Sequence, residues 1–145
     1  MTASIREQAI AAAVALIDAA TTTPVYRSRA AAFATAQLPA IVVSPTRDTP
    51  SDRDTSLCWQ SWDLQLAVDV VVATEPPDQA ADPLVQSVHA AMMGGSRDLG
   101  VDGITDVAPI STEFMVENSG TITGVTRMVY AVRYRTRHAD LTIGP

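Results

Sequence analysis

The side chains best suited to acid–base, nucleophilic or metal chemistry in this 145-residue chain include two histidines, one cysteine and sixteen acidic residues. His89 and His138 lack metal-ligand spacing, and His89 lies beside the apolar stripe of a helix, as a structural or surface histidine would. Cys58 is alone, which excludes an internal disulfide and a cysteine-based metal site. It falls on the apolar side of an alternating stretch and reads as a buried small hydrophobe. Asp48, Asp52 and Asp54 cluster in a polar segment where water would keep them ionised. Calcium binding there is poorly supported, because a calcium loop normally needs a glycine-driven turn and a bidentate acid. A hydrolase would need Asp63 or Asp69 with a strongly raised pKa, which nothing in the sequence indicates. The Gly-x-Ser-x-Gly, P-loop and dinucleotide glycine patterns are absent. Gly94-Gly95-Ser96 follows a helix, so it stops that helix and does not cradle a phosphate. No catalytic residue, cofactor or metal is assigned.

Arginine is the residue type whose placement is informative. All ten basic residues are arginine, a usage that fits a GC-rich genome and also suits planar, forked ion pairs between proteins. Arg127, Arg133, Arg135 and Arg137 share one side of an alternating segment. Four arginines cannot be buried there unpaired, so they must meet water or the acidic groups of another chain. A second charged group, Arg47, Asp48, Asp52, Arg53 and Asp54, lies in the stretch from Thr46 to Ser56, which has no large apolar residue and reads as a mobile loop or arm. Trp59 is the one large aromatic on the wetter side of its strand and a candidate interface anchor. These ten residues form the predicted partner surface. The net charge of −6 argues against wrapping nucleic acid by charge neutralisation.

The elements that position these groups follow from periodicity. The stretch from Leu57 to Thr74 places Cys58, Trp62, Leu64, Leu66, Val68, Val70 and Val72 on one side with a period of two, predicting a long central strand. Ser4 with Glu7 predicts a capping box that opens a helix to about Ala20, with Ile5, Ile10, Ala13, Leu16, Ile17 and Ala20 as its stripe. Val25–Arg29 and Leu38–Ser44 read as short strands, and the segment between them as a loop or a helical turn. Asp82 as N-cap and Pro83 at the first helical position predict a second helix, ended by Gly94-Gly95. A closing hairpin covers about Gly103–Glu117 and Thr121–Arg137, turning at Glu117-Asn118-Ser119-Gly120. Met128, Tyr130, Val132 and Tyr134 form its buried side. The fold class is α+β, an α/β sandwich: a mostly antiparallel sheet of four to five strands, two helices on one face and a long charged loop. No apolar run is long enough to span a bilayer.

In order, SIREQAIAAAVALI, VYRSR, LPAIVVSP, WDLQLAVDVVVAT, ADPLVQSVHAAMM and VYAVRYRTR resemble the tail terminator or tail-completion proteins of long-tailed bacteriophages, the minor tail protein U type. The likeness is one of pattern and order over nearly the whole chain. It implies a single domain over residues 1–145, with an arm at 46–56 and a surface tail at 138–145. It also implies a structural, non-enzymatic virion protein that forms a homo-oligomeric, hexameric ring at the head-proximal end of the tail. Its partners would be the tail tube protein and the head–tail connector or stopper protein. DNA would pass through the ring without specific binding, past an acidic surface that repels it. The protein would reside in the host cytoplasm during assembly. The alternatives are another neck or head-completion protein, or a dimeric α+β ligand-binding module.

Overall fold

Ser4 opens the first helix, α1 (Ile5–Ala20), its Oγ accepting the Glu7 N–H at 3.2 Å. The predicted box is half made: the Glu7 carboxylate instead accepts from the Arg27 guanidinium, one of the two bonds measuring 2.6 Å, and so ties α1 to the first strand. Ile5, Ala9, Ile10, Ala13 and Ile17 are buried, while Leu16 and Ala20 at the margin of the stripe are exposed. This computed structural model describes residues 2–52, 55–118 and 122–145. After α1 come β1 (Val25–Arg27), a 3-10 turn (Thr35–Gln37), β2 (Ala40–Ser51), β3 (Trp59–Val72), α2 (Pro77–Met93), β4 (Ile104–Asn118) and β5 (Ile122–Arg137). They form one mixed sheet of order β1-β2-β3-β5-β4, parallel only between β1 and β2.

Both helices pack on one side of this sheet, so the α+β expectation stands. The core lies between them and the alternate residues Ile41, Val43, Leu64, Leu66, Val68, Val70, Met128, Tyr130 and Val132. At roughly 25 cal/mol per Å² of apolar surface removed from water, each fully buried aliphatic side chain contributes about 1.5–3 kcal/mol.

The expected arm at 46–56 is strand through Ser51. After a bulge between Pro45 and Arg47, β2 pairs with β3 from Arg47↔Gln65 to Ser51↔Ser61. The segment is polar because much of it lies outside the helical layer, and backbone pairing to β3 holds it without an apolar side chain. Arg53 and Asp54 lie outside the described residues, as do Ser119 and Gly120 of the expected turn.

The second helix begins five residues before the predicted Asp82 cap, with Pro77 at its first position, and Pro83 lies inside it. The absent N–H of Pro83 leaves the preceding turn a bond short. The position is tolerated because Gln79 and Pro83 both face solvent. Asp82 instead accepts from Gln86 Nε2 at 2.7 Å. Cys58 is exposed, not buried, because β3 starts only at Trp59 and the alternation does not extend to residue 58.

Two glycines are fixed by their surroundings. Gly103 adopts φ +96°, where its backbone lies against Ile5. A Cβ on Gly124 would come within 2.1 Å of Pro77 Cβ, so glycine is what lets the first turn of α2 rest on β5. The segment after β5 folds back: Ile5 N–H donates to Leu141 O at 2.9 Å and Arg137 N–H to Ile143 O at 3.0 Å.

Candidate functional site

The side of the sheet without helices carries ordered charge. Asp63 and Asp69 stand directly opposite Arg133 and Arg127 in the β3–β5 register. Arg127 Nε and Nη2 donate to the two Asp69 carboxylate oxygens at 2.8 and 3.0 Å, a bidentate pair. That hydrogen bonding raises the Arg127 pKa. Glu113 of β4 faces Arg127 from its other side. The second row is looser, with Arg133 Nε 3.4 Å from Asp63 Oδ1. Asp106, opposite Arg133 on β4, is held by Arg97 at 2.7 Å. Between the rows lie only Ala67, Val129, Gln65 and Ala131, opposed as two pairs.

Arg127 and Arg133, expected to meet water or the acidic groups of another chain, are instead paired with acids of the adjacent strand. The signal lay in matched spacing: two aspartates six apart and two arginines six apart come into register on antiparallel strands.

Of the remaining predicted arginines, Arg135 and Arg137 lie where β3 and β5 end, while Arg47 stands four residues back from the end of β2. The Arg137 guanidinium lies over the Trp59 ring, 5.6 Å from its centroid. Arg135 sits opposite Ser61 with its Nε buried and unbonded. Arg47 is exposed, opposite Gln65. Asp52 is exposed just beyond β2. His138 Nε2 lies 2.8 Å from Ser56 O, tying the end of β5 to the segment that joins β2 and β3. Leu57 beside them is 98% exposed.

Asp48 separates from this group. The β2 bulge turns it toward the helices, where Tyr134 Oη donates to Asp48 Oδ2 at 2.5 Å and Arg6 approaches at 3.4 Å. Asp48 Oδ1 is buried without a hydrogen-bond partner. Burial, reinforced by the Asp48 carboxylate, drives the Tyr134 pKa far above its ordinary value. Trp62 stacks on Tyr134 with centroids 6.2 Å apart, and its Nε1 donates to Thr136 Oγ1 at 3.0 Å. His89 Nδ1 lies 3.0 Å from Tyr130 Oη beside the core. No cluster of three His, Cys, Asp or Glu side chains that could hold a metal occurs among the described residues.

A feature that periodicity missed lies at the opposite end of the sheet. There the first turn of α2 and the far end of β4 flank Gly124 and Thr126, enclosing a mainly apolar cleft of about 300 Å³. Its walls are Pro77 on one side and Phe114 and Val116 on the other, the last two 68% and 66% exposed. A run of apolar residues near a turn of the outermost strand was the available signal: Phe114-Met115-Val116 in β4.

No family model and no curated protein matches the chain. Among solved structures, the chain is similar to a chain of the "Virion of native gene transfer agent (GTA) particle". The TM-score is 0.53, 92% of each chain is covered and 14% of residues are identical. At that identity the likeness is one of fold. The two helices and five-stranded sheet described above form a fold that this virion chain shares over nearly its whole length.

Proposed function

We propose that the chain is a structural, non-catalytic subunit of a phage-like virion, which as a ring caps the head-proximal end of a long tail tube. In this role it stops tube polymerisation and joins the tail to the head connector. The observation that carries the reading is the fold shared with a virion chain over 92% of both chains. The order of helix, strands, helix and closing hairpin agrees with the resemblance to tail terminators. Its partners are further copies of itself, the tail tube protein and the connector or stopper protein. Exposed Arg137 at the strand end and exposed Arg47 within β2 are contact groups between subunits.

The test is the mass of the purified protein by light scattering, alone and mixed with tube protein, at several salt concentrations. A closed oligomer, or a monomer that forms a ring on tube ends, is the expected result. A salt-insensitive dimer indifferent to tube ends overturns the reading.

A further inference from the structure

The two ends of the long sheet differ in kind. Across β3 they are separated by roughly 40 Å. At one end the apolar cleft is bordered by Glu75 and Asp78, and among the described residues no arginine forms an ion pair with either. Nothing in the described fold covers Phe114 or Val116. At the other end a nearly fully exposed leucine, Leu57, stands beside Trp59, with Arg137 over that ring and Arg135 on the same side of the sheet, opposite Ser61. An isolated exposed leucine is ordinary, and so is a lone apolar cleft on an edge strand. Together they match in both properties, since an apolar anchor flanked by cations suits an apolar cleft flanked by acids.

We infer that the Leu57 tip of one copy seats in the Pro77–Phe114–Val116 cleft of the next, with the arginines beside the tip facing the acids beside the cleft. The occupant is a second copy of this chain. The two patches are different surfaces of the molecule, so the contact is heterologous and propagates head to tail, closing as a ring if the rotation per step allows. This inference rests on the ring reading above and assigns its two surfaces.

The single native cysteine makes the test direct. Cys58 is exposed next to Leu57, so in a Val116→Cys variant the contact brings residue 58 of one copy beside residue 116 of another. Mild oxidation of this variant should give a ladder of covalent multimers on a non-reducing gel. The native chain and an Ala90→Cys control, placed on an exposed part of α2, should stop at dimers. Leu57→Glu, at a fully exposed position that leaves the fold intact, should weaken self-association at least about tenfold in light scattering.

A closed oligomer that gives no ladder and tolerates Leu57→Glu overturns this interface and leaves the ring reading standing. A ladder that forms equally with Ala90→Cys overturns it too. Loss of association to Leu57→Glu only when tube protein is present assigns the tip to that protein and overturns the second copy as occupant. A chain that stays monomeric with and without tube ends overturns the ring reading itself.

Discussion

The two faces of the sheet solve the same packing problem by different chemistry. Beneath the helices, β3 and β5 meet through Leu64–Val132, Leu66–Tyr130 and Val68–Met128, all buried. One residue further along each strand, the same pair of strands meets through Asp63–Arg133 and Asp69–Arg127, with Gln65–Ala131 and Ala67–Val129 between them. The covered face derives its stability from area removed from water. The open face gains little from its ion pairs, because they remain partly hydrated. What those pairs provide is register: a slip by one residue would place each arginine opposite an apolar neighbour and each aspartate opposite a hydroxyl or an aliphatic chain. The lesson is that the open face specifies alignment while the covered face stabilises it.

That contrast can be broken most strongly on the covered side. Leu66→Ala should lower unfolding free energy by about 2–5 kcal/mol in urea titration. Val129→Ala, half-buried on the open side, should lower it by less than about 1.5 kcal/mol, and equal losses would erase the distinction.

Alkali probes the same layer. Burial raises the Tyr130 pKa to about 12, and Tyr134 is raised further by burial and Asp48. Above about pH 10 the unfolded chain sheds these phenolic protons while the folded chain keeps them. Both contributions are therefore whole below about pH 10; that of Tyr130 is lost as pH rises through about 12 and that of Tyr134 only at higher pH still. Absorbance at 295 nm should show two tyrosines titrating only as the circular dichroism collapses.

Gly124→Ala sets a Cβ against Pro77 and should cost about 1–3 kcal/mol by forcing the first turn of α2 off the sheet. The smallest effect belongs to the ladder. A double-mutant cycle on Asp69 and Arg127 should give a coupling of about 1 kcal/mol or less that shrinks with salt, and Asp63 with Arg133 about 0.5 kcal/mol or less.

Much of the covered face was legible from sequence because its residues obey a strict period. The alternation from Leu64 to Val72, the stripe through Ile5, Ile10 and Ile17, and the run Met128–Tyr134 all landed where the spacing put them. The misreadings occurred where a backbone device interrupts a period. Past the Pro45–Arg47 bulge the parity of β2 inverts, so Asp48, which reads as an arm residue, packs beneath Tyr134. Pro76-Pro77 supplies an earlier helix start than Asp82-Pro83, and composition does not rank the two. For the candidate site, the arginine positions were legible and their partners were not, because partners on another strand depend on register. Arg137 stayed exposed at the sheet end and Arg47 within β2, Trp59 took Arg137 over its ring, and the cleft beside Phe114 was invisible until α2 was placed.

The strand order carries a consequence for how the chain is made. β5, the latest of the five strands in chain order, inserts between β3 and β4, so the central edge of β3 has no neighbour until Arg137 has left the ribosome. At about 5–20 residues per second the stretch from Val72 onward takes several seconds, during which Leu66, Val68 and Val70 lie on an open edge. Folding is thus gated by synthesis of β5, and a chain truncated before β5 should be bound by chaperones or aggregate instead of forming a partial sheet.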